Sequence, residues 1–175
     1  MAFAPIMEAD PTPSRTVVPD RQLGLVELSS RGAGKLAAAV PSPVAQDKAA
    51  GGKRILLVVD DEAPVRSLVR MMGEHLGYTV LEAINGAEAL SHLQLKSGEI
   101  DIVLTDVNMP VMDGLDLVRA IKKLPARPEV AVMSGRFDAQ LRAALQAEGI
   151  AVMMSKPFST DELGLTLAKL RTTVG

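Results

Sequence analysis

From residue 53 onward the chain carries five short hydrophobic runs, and each ends in polar residues. Ile55 to Val59 leads into Asp60-Asp61, and Ile102 to Leu104 into Thr105-Asp106. Val130 to Met133 leads into Ser134-Gly135, and Ala151 to Met154 into Ser155-Lys156-Pro157. The remaining run, Thr79 to Ala83, is mixed. Runs that are apolar at every position suit strands buried on both faces of a parallel sheet, whereas a mixed run suits its edge. Between them the period changes to that of a helix. Val65, Leu68, Val69, Met72 and Leu76 are expected on one face, with Pro64 in the first turn. Asn85 stands where an N-cap belongs, Asp113 and Asp138 lead into the next helical stretches, and Ser159-Thr-Asp-Glu162 reads as a capping box. Gly98 and Gly149 are the expected stops. Five alternating β-α units imply a parallel sheet, right-handed crossovers and helices on both faces.

Residues 1–52 follow neither period. They hold six of the 11 prolines, namely Pro5, Pro11, Pro13, Pro19, Pro41 and Pro43. They read as a disordered or weakly structured Ala/Pro-rich extension ending in Gly51-Gly52, with residues 53–175 as the folded domain. Leu23, Leu25, Val26 and Leu28 cluster as a short candidate partner-binding segment, although Gly24 disfavours a helix there.

Composition narrows the chemistry. Hydrophobic residues make up 47% and the formal net charge is −2, so the chain has a core and lacks a broad basic footprint for nucleic acid. With Tyr 1, Phe 3 and Trp 0 there is no base-stacking surface. Cys 0 excludes disulfides and thiolate metal sites. The two histidines, His75 and His92, are read as surface or flanking residues of helices. No apolar run reaches the ~18 residues of a membrane span, and Met1 to Met7 has no secretory pattern, so the expectation is a cytoplasmic protein with no membrane partner. Met71, Met72, Met133, Met153 and Met154 are read as core filler.

In a doubly wound sheet, ligands bind beyond the C-terminal strand ends. Asp60, Asp61, Asp106, Ser134 and Lys156 all stand there. Each alone has an ordinary explanation: the acids as turn or cap residues, the serine as a turn hydroxyl, the lysine as a solvated charge. Their coincidence at four of the five strand ends points elsewhere. Converging carboxylates recruit a cation, and an all-oxygen donor set favours a hard one, Mg2+ first. A carboxylate beside a cation, with an ammonium and a hydroxyl opposite, suits phosphoryl transfer to aspartate.

The ordered set also resembles a known family. Asp60-Asp61, then Leu104-Thr-Asp106-Val-Asn-Met-Pro110-Val-Met-Asp113-Gly114, then Met133-Ser134-Gly135, then Lys156-Pro157-Phe158 is similar to the receiver domain of two-component response regulators, over about residues 53–173. The resemblance implies a flavodoxin-like sheet of strand order 2-1-3-4-5 with five helices. It implies Asp106 as phosphoacceptor and Mg2+ held by Asp61, Asp106 and the Asn108 carbonyl, with Asp60 acting through water. Lys156 and the Ser134 hydroxyl would contact the phosphoryl oxygens, with the backbone amides of Asn108 and Gly135 as further donors. It also implies a cis bond before Pro157 and a Gly114 turn that a side chain would obstruct. The partners implied are a histidine kinase or a histidine phosphotransfer protein upstream. Downstream, a protein target would dock on the face built from 138–148, 151–154 and 159–170. Enzymatic activity beyond self-phosphorylation and self-dephosphorylation at Asp106 is not expected.

Two positions depart from the family's pattern. Met153 stands where many receivers carry an aromatic reporter of phosphorylation, so the switch region, Ser134 and Met153, is expected to respond more softly. Arg136 stands where side chains modulate dephosphorylation. Other readings fit the residues less well. A Mg-dependent phosphohydrolase would want an acid where Asn108 stands, and a flavin module would find Asp60-Asp61 in its phosphate loop. A phosphorylation-independent scaffold would not need the intact acid set. A receiver segment from the C-terminus of a hybrid kinase is compatible with all the motifs.

Overall fold

The computed structural model describes residues 52–171. The expected extension over 1–52, its Leu23–Leu28 cluster and the last residues, 172–175, lie outside the described residues, apart from Gly52. Five strands alternate with five helices: β1 (Ile55–Val59), α1 (Ala63–His75), β2 (Thr79–Ala83), α2 (Gly86–Leu95), β3 (Ile100–Asp106), α3 (Gly114–Ile121), β4 (Glu129–Ser134), α4 (Ala139–Ala147), β5 (Met153–Ser155) and α5 (Thr160–Arg171). All pairings are parallel, in the order β2-β1-β3-β4-β5. The order reverses at β1, so the C-terminal ends of β1 and β3 border the crevice where such sheets bind ligands.

Alternation along the strands explains the two-faced core. Leu56, Val58, Ile102, Leu104 and Met133 pack with Val69 of α1 and Leu163 and Leu167 of α5. Leu57, Val59 and Val103 point the other way, against Ala89 and Leu93 of α2 and Leu117 and Ile121 of α3. Val132 meets Val118 and Leu145, placing α4 on the same side as α3. The N-caps form. Asn85, Asp113 and Asp138 accept from the N–H groups of Glu88 (2.9 Å), Asp116 (2.8 Å) and Leu141 (2.8 Å). Glu162 accepts from the Ser159 N–H at 2.7 Å, while the Ser159 hydroxyl accepts from the Glu162 N–H at 3.2 Å. Gly98 and Gly149 take φ of 79° and 76°, the left-handed conformation that ends a helix.

Three expectations shift. β3 begins at Ile100, because the Asp101 carboxylate accepts the Ile55 N–H at 2.7 Å and carries the β1 pairing downward. β5 begins at Met153, where pairing with Val132 starts. Leu68 and Met71 are not core residues; they are 46% and 57% exposed. α1 lies close to the sheet at Gly73, where an added Cβ would sit 2.9 Å from Val80. Its buried stripe therefore centres on Val69, Gly73 and Leu76. At about 100° per residue, Leu68 falls at the edge of that stripe and Met71 nearly opposite it.

Gly114 opens α3 with its N–H donated to the Val107 carbonyl at 2.9 Å. A Cβ there would overlap the Asp106 carbonyl oxygen and lie 3.0 Å from the Val107 Cα. Both obstacles are backbone, so neither can turn aside. Gly114→Ala is expected to cost about 2–3 kcal/mol of stability, read from the midpoint of urea unfolding. An unchanged midpoint would show that the turn has room to spare.

Candidate functional site

Asp60 directly follows β1, with its N–H donated to the Ala83 carbonyl at 3.1 Å. Its side chain is fully buried, and Oδ1 accepts the Glu62 N–H at 2.8 Å. Asp106 ends β3, also buried, with Oδ2 accepting the Asn108 N–H at 2.6 Å. Lys156 follows β5, held by its N–H to the Ser134 carbonyl at 2.8 Å and followed by a cis bond to Pro157. From there its ammonium reaches across β4. Nζ lies 2.5 Å from Asp60 Oδ2 and 2.6 Å from Asp106 Oδ1. One cation thus ties together three strand ends, and the trio keeps a surplus negative charge.

Burial pushes the Asp106 carboxyl above the ordinary aspartate range, and its contacts with Lys156 and the Asn108 N–H offset this only in part. Burial alone would lower the Lys156 ammonium, but its hydrogen bonds to Asp106 and Asp60 outweigh that and raise it. The two directions agree physically: an ammonium shared by two carboxylates is held strongly, while for Asp106 the shared contact does not make up for burial.

The other expected residues surround this trio unevenly. Asp61, Asn108 and Gly135 are exposed at the rim. The Asp61 carboxylate has no hydrogen-bond or ion-pair partner among the described residues. Ser134 is buried, and its hydroxyl is spent locally, donating to the Arg136 carbonyl at 2.9 Å and accepting from the Arg136 N–H at 3.2 Å. It makes no hydrogen bond to Asp106. Met153 is half-buried against the cluster of Val107, Val132, Leu145 and Ile150. Among the described residues no three carboxylate or imidazole groups stand close enough to share a metal ion, and Lys156 Nζ contacts both Asp60 and Asp106.

The loop after Asp106 carries an unusual backbone. Val111 has φ of 72° and is 87% exposed, and the Met112 N–H closes a tight turn on the Pro110 carbonyl at 2.9 Å. A β-branched residue in this region is strained. Val111→Gly is expected to stabilise the domain by about 0.5–1 kcal/mol, the strain relief less the glycine's extra unfolded entropy. A lower thermal midpoint would mean that Val111 makes a compensating contact.

Two features were not anticipated from the sequence. Arg66 on α1 donates from Nη1 to the Asp60 carbonyl at 2.7 Å, with Nε 3.6 Å from the Glu82 carboxylate of β2. Nothing in the spacing separates it from Arg70, which pairs with the same glutamate from the exposed side. An apolar groove of about 380 Å³ also opens beside Lys156, lined by Val65, Leu68, Gly135, Pro157 and Phe158 among others.

Comparison with known proteins accounts for this arrangement. The family model "Response regulator receiver domain" matches residues 56–168. The two-component response regulator ORR41 of Oryza sativa is 38% identical over 122 residues, covering 67% of this chain and 94% of that protein. A chemotaxis protein CheY homolog of Campylobacter jejuni is 38% identical, covering 62% of this chain and 85% of its own. The sensor kinase CckA of Brucella abortus is 36% identical over 69% of this chain, which spans only 13% of that kinase. Among solved structures, a response regulator receiver domain protein from Clostridium thermocellum superposes with a TM-score of 0.63 at 28% identity, covering 67% of this chain and 93% of that one. Among the described residues no helix is long and apolar enough to cross a membrane. With the sheet order, the acids at the ends of β1 and β3 and the lysine after β5 all in place, the chain belongs to the response regulator receiver domain family.

Proposed function

We propose that Asp106 accepts a phosphoryl group from a phosphohistidine and that the domain signals by the resulting conformational shift. The observation that carries this reading is Lys156, which holds the carboxylates of Asp60 and Asp106 together at the sheet's C-terminal edge. In the transfer an Asp106 carboxylate oxygen attacks phosphorus in line, the P–O bond forms, the P–N bond breaks, and the histidine leaves with its electron pair. Lys156 then turns from Asp60 to the phosphoryl oxygens. The N–H of Gly135, and that of Asn108 once it leaves Asp106 Oδ2, would be the further donors.

The chemistry of the donor set, rather than its present spacing, suits a hard cation: it is all oxygen, and Asp60, Asp61 and Asp106 outnumber Lys156 in charge. Asp61, Asp106 and the Asn108 carbonyl would hold Mg2+, with Asp60 in the outer shell. Bound there, the ion would neutralise charge on the transferring group. The expected result with acetyl phosphate is incorporation of one phosphoryl group in the presence of Mg2+, and none after EDTA, read by intact mass. Labelling that is indifferent to EDTA would remove the metal from the account.

For the response, the Ser134 hydroxyl would leave Arg136 for a phosphoryl oxygen and draw the β4–α4 loop with it. Met153, unbranched and half-buried, would follow in small steps. The downstream target would dock on the face of α4, β5 and α5. The groove beside Lys156, with Leu68 exposed at its edge, suits the phosphodonor, which must bring its histidine over Asp106. Similarity to segments of the sensor kinases CckA and RcsC favours a histidine kinase or phosphotransfer protein as that donor, and hence the cytoplasm, where kinases draw on ATP.

A further inference from the structure

We infer that Arg66 is a positioning residue for the cation-binding loop, acting on Asp61 through the backbone; this rests on the proposed Mg2+ role of Asp61 and Asp106. The Asp60 carbonyl that accepts from Arg66 Nη1 at 2.7 Å belongs to the same peptide plane as the Asp61 N–H. Fixing that oxygen fixes the plane, and with it the direction in which the chain leaves toward Asp61. The Asp60 side of this joint is constrained by the N–H bond to Ala83 and the carboxylate bonds to Glu62 and Lys156. Asp61 has no such help, since its exposed carboxylate has no partner among the described residues. Its place is therefore set by the backbone alone.

Arg66 suits the task. Its side chain is only 13% exposed, and Glu82 on the neighbouring strand holds Nε from the far side at 3.6 Å. The guanidinium thus bridges α1, the end of β1 and β2, with planar donors whose directions are fixed relative to one another. Charge alone predicts the opposite effect on a metal. A guanidinium near the acids repels a cation, so removing it would tighten binding. Positioning predicts that removal loosens binding, because outer-shell partners typically contribute tenfold or more to metal affinity. The sign of the change decides between the two.

The test is Mg2+ titration of the unphosphorylated full chain by amide NMR, comparing wild type with Arg66→Met, Arg66→Lys and, as a site control, Asp61→Asn. Arg66→Met is expected to weaken Mg2+ binding about tenfold, and Arg66→Lys, with one point charge for two acceptors, by less. In both, labelling by acetyl phosphate should return to the wild-type rate at saturating Mg2+, since Asp106 and Lys156 are untouched; a general loss of fold would not show that rescue. Equal or tighter Mg2+ binding in Arg66→Met overturns the inference. If that variant does not fold, equal or tighter binding in Arg66→Lys does so. Unchanged Mg2+ affinity in Asp61→Asn would instead overturn the metal role of Asp61, a separate failure that the control exposes.

Discussion

Lys156→Met is expected to destabilise the domain by about 2–3 kcal/mol in Mg2+-free buffer. Removing one partner of a buried ion pair usually costs more than removing both, roughly 3–5 kcal/mol, because the remaining charge is left uncompensated. Here two carboxylates would be left, and Asp60 is fully buried. The estimate is set below the full range because the Lys156 side chain is 17% exposed and water can reach the gap. Methionine keeps most of the stem, so the loss reports charge rather than a cavity. Adding Asp106→Asn to the same chain should recover part of the loss, and the difference between the double variant and the summed singles measures the coupling. A Lys156→Met variant as stable as wild type would mean that the two acids do not depend on the ammonium.

Asp106→Asn alone is expected to act in opposite directions on stability and function. Labelling should disappear, since the amide offers no carboxylate nucleophile. Stability should rise by about 1 kcal/mol, because one of two acids competing for a single ammonium is neutralised. Burial already pushes the Asp106 carboxyl upward, which means that the folded protein disfavours its ionised form. Asparagine keeps one carbonyl oxygen, enough to accept either the Asn108 N–H or Lys156 Nζ, the two donors that now reach Asp106. Chemical denaturation and acetyl-phosphate labelling of one preparation read both effects. A destabilised variant would show that the second carboxylate oxygen contributes more than the charge costs.

The order of elements was legible because every strand but the edge strand β2 is largely apolar and every helix but α1, which carries Pro64 in its first turn instead, announces its cap. Asn85 and Ser159 bond as their spacing implied, and Asp113 and Asp138, read as leading into helices, prove to cap them. Legibility stopped where a position depends on another element. Leu68 and Val69 are equally apolar, and only the close approach of Gly73 to the sheet decides which is buried. Val111 carries no sign of its left-handed backbone, since glycine rather than valine marks such a turn. At the site, the acids and the lysine could be placed at strand ends by counting. Their mutual arrangement could not, because a lysine side chain can reach solvent, Asp60 or Asp106 from the same backbone position. The Ser134 hydroxyl bond to Arg136 and the Arg66 bond to the Asp60 carbonyl both end on backbone oxygens, which have no sequence signature.

The most direct measurement on the central claim is to locate the phosphoryl group itself. The full chain is labelled with acetyl phosphate and Mg2+, reduced with borohydride so that an aspartyl phosphate becomes homoserine, digested, and mapped by mass spectrometry. The account predicts homoserine at position 106 and at no other aspartate, with Asp60 and Asp61 unmodified. Reduction at another carboxylate, or stoichiometric labelling that survives Asp106→Asn, would contradict it.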